Sequence, residues 1–141
     1  MSTSVLVSVD LSHPEASKPV LTRAAQLAEL DKASLSVMTV VPDFGSGFVG
    51  TFFEPGTLDK ALAAAQSELH ALVDATLPGH GAIQHIIACG SVYDEILATA
   101  EKIGADLIVL GASKPDLATR LIGPNAIRVA SHTEASIYIV R

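Results

Sequence analysis

GSVYDEILATAEKIGADLIVLGAS, residues Gly90–Ser113, sets a helix pattern directly before a strand pattern. Val92–Gly104 reads as a helix, with Ser91 placed to cap its start and Asp94 as the acid of a capping box. Gly104 ends it, because glycine accepts the left-handed backbone with which helices commonly close. Asp106–Ala112 follows at once, and its centre, Leu107–Leu110, is apolar without interruption. A strand with no polar alternation is covered on both faces. Next to a helix, that predicts a parallel sheet with helices on each side.

The same alternation extends in both directions. Ser4–Asp10 is β-branched and bounded by turn formers, and Ser34–Val41 is a second strand stopped by Pro42. Between them Val20, Leu21, Ala24, Leu27 and Ala28 recur at helical spacing, with Ser17 as the predicted cap and Pro19 in the first turn. Thr57–Leu77 is rich in Ala and Leu and closed by Pro78 and Gly79, a third strand covers Ile83–Gly90, and the chain finishes with a helix over Asn125–Thr133 and a strand over Ala135–Arg141. The order is β-α-β-α-β-α-β-α-β, predicting one α/β domain over residues 1–141 with right-handed crossovers. In open sheets of this kind ligands bind beyond the carboxyl ends of the strands. Asp10, Val40 and Val41, Gly90 and Ser91, and Gly111–Lys114 are therefore the positions to watch.

Composition narrows the function. At 141 residues the chain can bury roughly two thirds of its unfolded surface. Its 49% apolar and 17% charged content argues against disorder, and no apolar run reaches the ~18 residues of a spanning helix. The first residues carry no basic region of a secretory signal. Cys89 is the single cysteine, which fits a reducing cytosol, and its apolar neighbours read as those of a small buried residue. A net charge of -6 argues against a partner that is nucleic acid or an anionic membrane, and no membrane insertion is expected.

The loop after the fourth strand departs from this acidic background. Over Leu107–Thr133 the basic residues Lys114, Arg120 and Arg128 face one acid, Asp116. Gly111 sits where the backbone turns off the strand, permitting either positive φ or close approach of a ligand. Gly123 precedes the last helix, whose unpaired N–H groups are an anion site in waiting. The residues alone leave two readings open, a phosphate cradle and a stiff surface loop, and neither a Walker nor a dinucleotide glycine fingerprint occurs.

On VLVSVD, LSVMTVVP, GSVYDEILATAEKIGADLIVLGAS and the terminal SIYIVR, the chain resembles the universal stress protein (UspA-like) family over nearly its whole length. The segment from Ala112 to Arg141 is similar to the F/G-type branch. The resemblance implies a doubly wound domain with a five-stranded parallel sheet, strand order 3-2-1-4-5, flanked by four helices. It also implies ATP or another adenine nucleotide as ligand, with or without Mg²⁺. Asp10 and Val40 would border adenine and ribose, Leu110 would pack near the sugar, and Gly111, Gly123 and Asn125 would line the phosphates. Val9, Ser113, Lys114, Arg120, Pro124 and Ala126 complete that set. The family pattern, G-x-x-G, about nine residues, then G followed by Ser or Thr, is met with departures. Lys114 stands at the second glycine, the spacing to Gly123 is one shorter, and Pro124 replaces the hydroxyl residue. A proline there has neither hydroxyl nor N–H, so the grip on terminal phosphates should change, with AMP or ADP held as well as ATP. Lys114 partly offsets the loss as a point charge.

Other residues weigh less. His13, His70, His80, His85 and His132 fall on different elements without metal-ligand spacing, so no metal site is expected. Ser113 has no triad partner in sequence, and no catalytic residue is assigned. All four phenylalanines, Phe44, Phe48, Phe52 and Phe53, lie in one glycine-rich loop, either a partner surface or lid, or a cover for the core edge. Ile137–Val140 would be an unprotected apolar edge, which predicts a homodimer through the C-terminal strand, as does the resemblance. The leading expectation is a cytoplasmic, dimeric, nucleotide-binding stress-response regulator acting through a protein partner of unknown identity. A slow ATPase using Lys114 and Mg²⁺, and an interaction module without nucleotide, are the alternatives.

Overall fold

The computed structural model describes residues 3–41, 56–112 and 123–141. Five strands and four helices alternate: β1 (Ser4–Ser8), α1 (Pro14–Asp31), β2 (Ser34–Val41), α2 (Thr57–Thr76), β3 (Ile83–Cys89), α3 (Val92–Ile103), β4 (Leu107–Gly111), α4 (Pro124–His132) and β5 (Ser136–Val140). All neighbouring strands are parallel, in the order β3-β2-β1-β4-β5. The expected architecture and strand order are the ones observed. The Phe44, Phe48, Phe52 and Phe53 loop lies outside the described residues.

Strand alternation divides the core into two layers. On one face Val5, Val7, Val37 and Val109 pack with Val20, Leu21 and Ala24 of α1 and Leu69 and Val73 of α2. On the other, Leu6, Met38, Ile108 and Leu110 meet Ile96 and Ala100 of α3 and Ala126 and Val129 of α4. Val5, Leu6 and Val7 are fully buried, as a strand at the sheet centre requires. Each such side chain contributes about 1.5–3 kcal/mol on leaving water. At the amino ends of the strands, Asp106 ties β4 to β1: its carboxylate accepts from the Thr3 backbone N–H (2.8 Å), the Thr3 hydroxyl and the Ser4 N–H. Those bonds, the Thr3 N–H foremost, hold its carboxyl below the usual range.

Several local expectations are corrected. Helix α1 starts one turn before Ser17, with His13 at the cap and Pro14 in the first turn, where its fixed φ and missing N–H are harmless. Pro19 consequently lies inside the helix. Ser91 does cap α3 by position, but no side-chain capping bond forms, so the box with Asp94 is absent. Gly104 closes α3 as predicted, at φ 67°, its N–H reaching the Ala100 and Glu101 carbonyls. Cys89 is only partly buried, because it ends β3, an edge strand covered less fully than the centre.

Candidate functional site

Strands β1 and β4 are adjacent, yet the chain leaves them in opposite directions, β1 toward β2 and β4 toward β5. Their carboxyl ends therefore part company with the connecting segments, and a crevice must open between. A cavity of about 490 Å³ lies there. Val9 and Asp10 border it from the end of β1 and Val40 from β2. Leu110 and Gly111 border it from β4, and Gly123, Pro124, Asn125 and Ala126 from the start of α4. All nine are predicted site residues. Ser113, Lys114 and Arg120 lie outside the described residues.

Asp10 is set by a small lattice of bonds. The Thr39 hydroxyl donates to the Val9 carbonyl (2.9 Å), and the Val9 N–H donates to the Met38 carbonyl (2.9 Å), fixing the chain as it leaves the sheet. The buried Ser17 hydroxyl then bonds Asp10 twice, donating to its carbonyl (3.0 Å) and accepting its N–H (3.1 Å). One carboxylate oxygen, Oδ1, accepts the Ser12 N–H at 2.9 Å. Asp10 is thus an exposed carboxylate on a pinned backbone, able to accept bonds from ligand hydroxyls.

Gly111 does not take the positive φ allowed for it. A Cβ there would stand 3.5 Å from Val20 Cγ2, an ordinary contact, so glycine here leaves open the side where α1 meets the cavity. Gly123 is extended (φ -64°, ψ 157°), and its N–H bonds the Ala112 carbonyl, bringing the incoming chain back onto the end of β4. A Cβ at 123 would lie 3.4 Å from that same oxygen.

Three helices begin at the cavity. His13 and Ala16 of α1, Val92 of α3 and Pro124 to Ala126 of α4 all line it, and none of the three starts carries a side-chain cap. Each brings uncommitted first-turn amides and the positive end of a dipole. Val40, Val92, Ile96 and Leu110 supply apolar walls suited to a flat ring. The cavity therefore joins an apolar slot, an acceptor and a donor-rich face.

Sequence reasoning missed Ser12, His13, Ser17, Val20, Val92 and Ile96 as lining residues. The available signal was His13-Pro14: a proline at the first helical position moves the start of α1 back to the end of β1, into the crevice.

The histidines fall on different elements, as expected, but packing brings three of them together. The rings of His70 and His85 stack at 3.7 Å, with His80 6.5 Å from His85. His80 bonds the Gly81 carbonyl through Nδ1 (2.7 Å) and Asp74 through Nε2 (2.9 Å), which raises its pKa, the carbonyl contributing most. Burial, aided by His70 and His80, lowers that of His85. Among the described residues no group of three or more His, Cys, Asp or Glu could hold a metal ion.

Residues 1–141 match the sequence profile of the universal stress protein family. The chain belongs to this family. It is 28% identical over 143 aligned residues to universal stress protein G of Shigella flexneri and of Escherichia coli O157:H7, covering all of each chain. Among solved structures it is similar to UspA from Lactobacillus plantarum (24% identity, TM-score 0.77, 99% and 97% of the two chains covered). It is also similar to a universal stress protein in complex with cAMP (22%, TM-score 0.69, 99% and 97%) and one from Archaeoglobus fulgidus in complex with dAMP (20%, TM-score 0.62, 99% and 98%). Among the described residues no helix is long and apolar enough to cross a membrane.

Proposed function

We propose that this universal stress family member is a cytoplasmic regulator that binds an adenine nucleotide, ATP, ADP or AMP, and acts as a homodimer through a protein partner. One observation carries the reading: three uncapped helix starts and Asp10 converge on one crevice at the switch point of the sheet. The apolar walls would take the base, Asp10 the ribose hydroxyls, and the amides of Asn125 and Ala126 a phosphate. The two related proteins in complex with cAMP and dAMP support a nucleotide of this class. Binding rather than turnover is proposed because Asp10, the one carboxylate among the described lining residues, already spends Oδ1 on its own loop. Edge strand β5 supports the dimer: Tyr138 is exposed and the strand carries no charge. Protein purified without added nucleotide is heat-denatured and its supernatant read by mass spectrometry, with calorimetric titration of ATP, ADP and AMP alongside. Bound or titrated nucleotide is expected. A clean supernatant with no heat of binding refutes the reading and leaves the interaction module, in which Pro124 marks a lost site.

A further inference from the structure

We propose that His13 recognises the anionic part of the bound nucleotide and links its affinity to protonation, an inference that rests on the nucleotide reading above. His13 is exposed at the start of α1 and lines the cavity. Its main chain is pinned: its N–H donates to the Asp10 carbonyl (3.0 Å) and its carbonyl accepts the Ser17 N–H (3.1 Å). The imidazole makes no capping bond, so the residue borders the cavity on a fixed main chain with its ring uncommitted to the helix start. Among the described lining residues it is the one side chain able to carry positive charge. Among the described residues the charged groups around it are few. Asp10 shares its turn, and Glu15 and Lys18 on α1 pair with each other at 3.1 Å. The lining residues of β2, β4, α3 and α4 carry no charge. A phosphate at the α4 start enters this cavity, so its charge favours the imidazolium and the imidazolium favours it. Affinity should rise as falling pH puts a proton on the imidazole.

AMP also titrates near pH 6, so the test reads a ratio in which the ligand cancels. Dissociation constants for AMP and for adenosine are measured from pH 6 to 8.5 on the full chain and on His13→Gln. The variant-to-parent ratio for AMP should climb from about 1 at pH 8.5 to about 5–10 at pH 6, while that for adenosine stays flat. NMR of the unmodified chain should show the His13 ring titrating at higher pH with AMP than without. A flat AMP ratio, an equal trend with adenosine, or coincident NMR curves overturns the role of His13 while nucleotide binding stands. Failure of AMP to bind at any pH overturns both.

Discussion

Replacing Ser17 with alanine separates two accounts of the turn that presents Asp10. Ser17 is the fourth residue of α1, and alanine is the better helix former by about 0.5 kcal/mol, so helix propensity alone predicts a small gain. The bonds predict the opposite. The hydroxyl accepts the Asp10 N–H and donates to the Asp10 carbonyl while only 4% of the residue is exposed. The carbonyl keeps a second donor, the His13 N–H at 3.0 Å, but no other partner for the Asp10 N–H is seen among the described residues. Leaving that donor in a part-buried turn costs about 1–3 kcal/mol, and losing the second bond about 1 more. Net of propensity, Ser17→Ala should destabilise by about 2 kcal/mol. For a chain of 141 residues that is a fall of about 7 °C in Tm. Urea unfolding followed by circular dichroism, with the slope checked for constancy, reads it directly. Ser12→Ala is the control, since its loop bond is made by the backbone N–H rather than the hydroxyl, and it should change little. If Ser17→Ala is neutral or stabilising, the hydroxyl does not hold this turn.

Stability should peak near pH 6.5. The folded pKa of His80 is raised, so its contribution is full below 6.5 and is lost as pH rises through the folded value; that of His85 is lowered, so its contribution is full above 6.5 and is lost as pH falls. Urea midpoints from pH 5 to 8 should show both limbs, with His80→Gln flattening the alkaline one and His85→Gln the acid one; unchanged limbs in both variants contradict the assignment. Gly111→Val has room for its Cβ beside Val20, but its two methyls must enter the cavity, so AMP affinity should fall at least about tenfold with Tm within about 3 °C. Calorimetric titration showing parental affinity would place the ligand elsewhere. In β5 the Ser136 N–H and Val140 carbonyl face β4, so the intervening Ile137 and Ile139 backbones face outward. Ile139→Pro therefore removes an edge donor without cutting the β4 ladder and should shift the chain toward monomer in light scattering; an unaltered dimer excludes this edge as the interface.

The sheet was readable because burial on both faces leaves a mark in sequence: Leu107–Leu110 has no polar residue for a solvent side. Gly104 was readable because its role is local, one backbone angle and two carbonyls. Ser17 was not. A serine three residues into a helix and one at its cap look alike in sequence, and the difference lies in which carbonyl the turn after β1 brings to it. The histidines show the same limit. His70 and His85 are fifteen positions apart on a helix and a strand, and only the packing of α2 on β3 stacks their rings.

On the proposed reading, the prolines at the mouth explain how a lining with so few side-chain donors among the described residues would favour anions. Helices α1 and α4 start alike, His13-Pro14 and Gly123-Pro124, each with the proline at the first helical position. In both, the fourth amide is already spent, Ser17 on the His13 carbonyl and Ile127 on the Gly123 carbonyl. Proline supplies none, so each start keeps its second and third amides, Glu15 and Ala16 in one and Asn125 and Ala126 in the other. Pro124 thus removes one donor, but its fixed φ preorganises the turn that aims the remaining pair. On the proposed reading, these backbone amides, which any sequence compatible with the two turns provides, would meet charge on the ligand beside His13 among the described residues. On the same reading, individual residues would add discrimination: Asp10 against a second anion near the sugar, and the open face at Gly111 for the width of what enters.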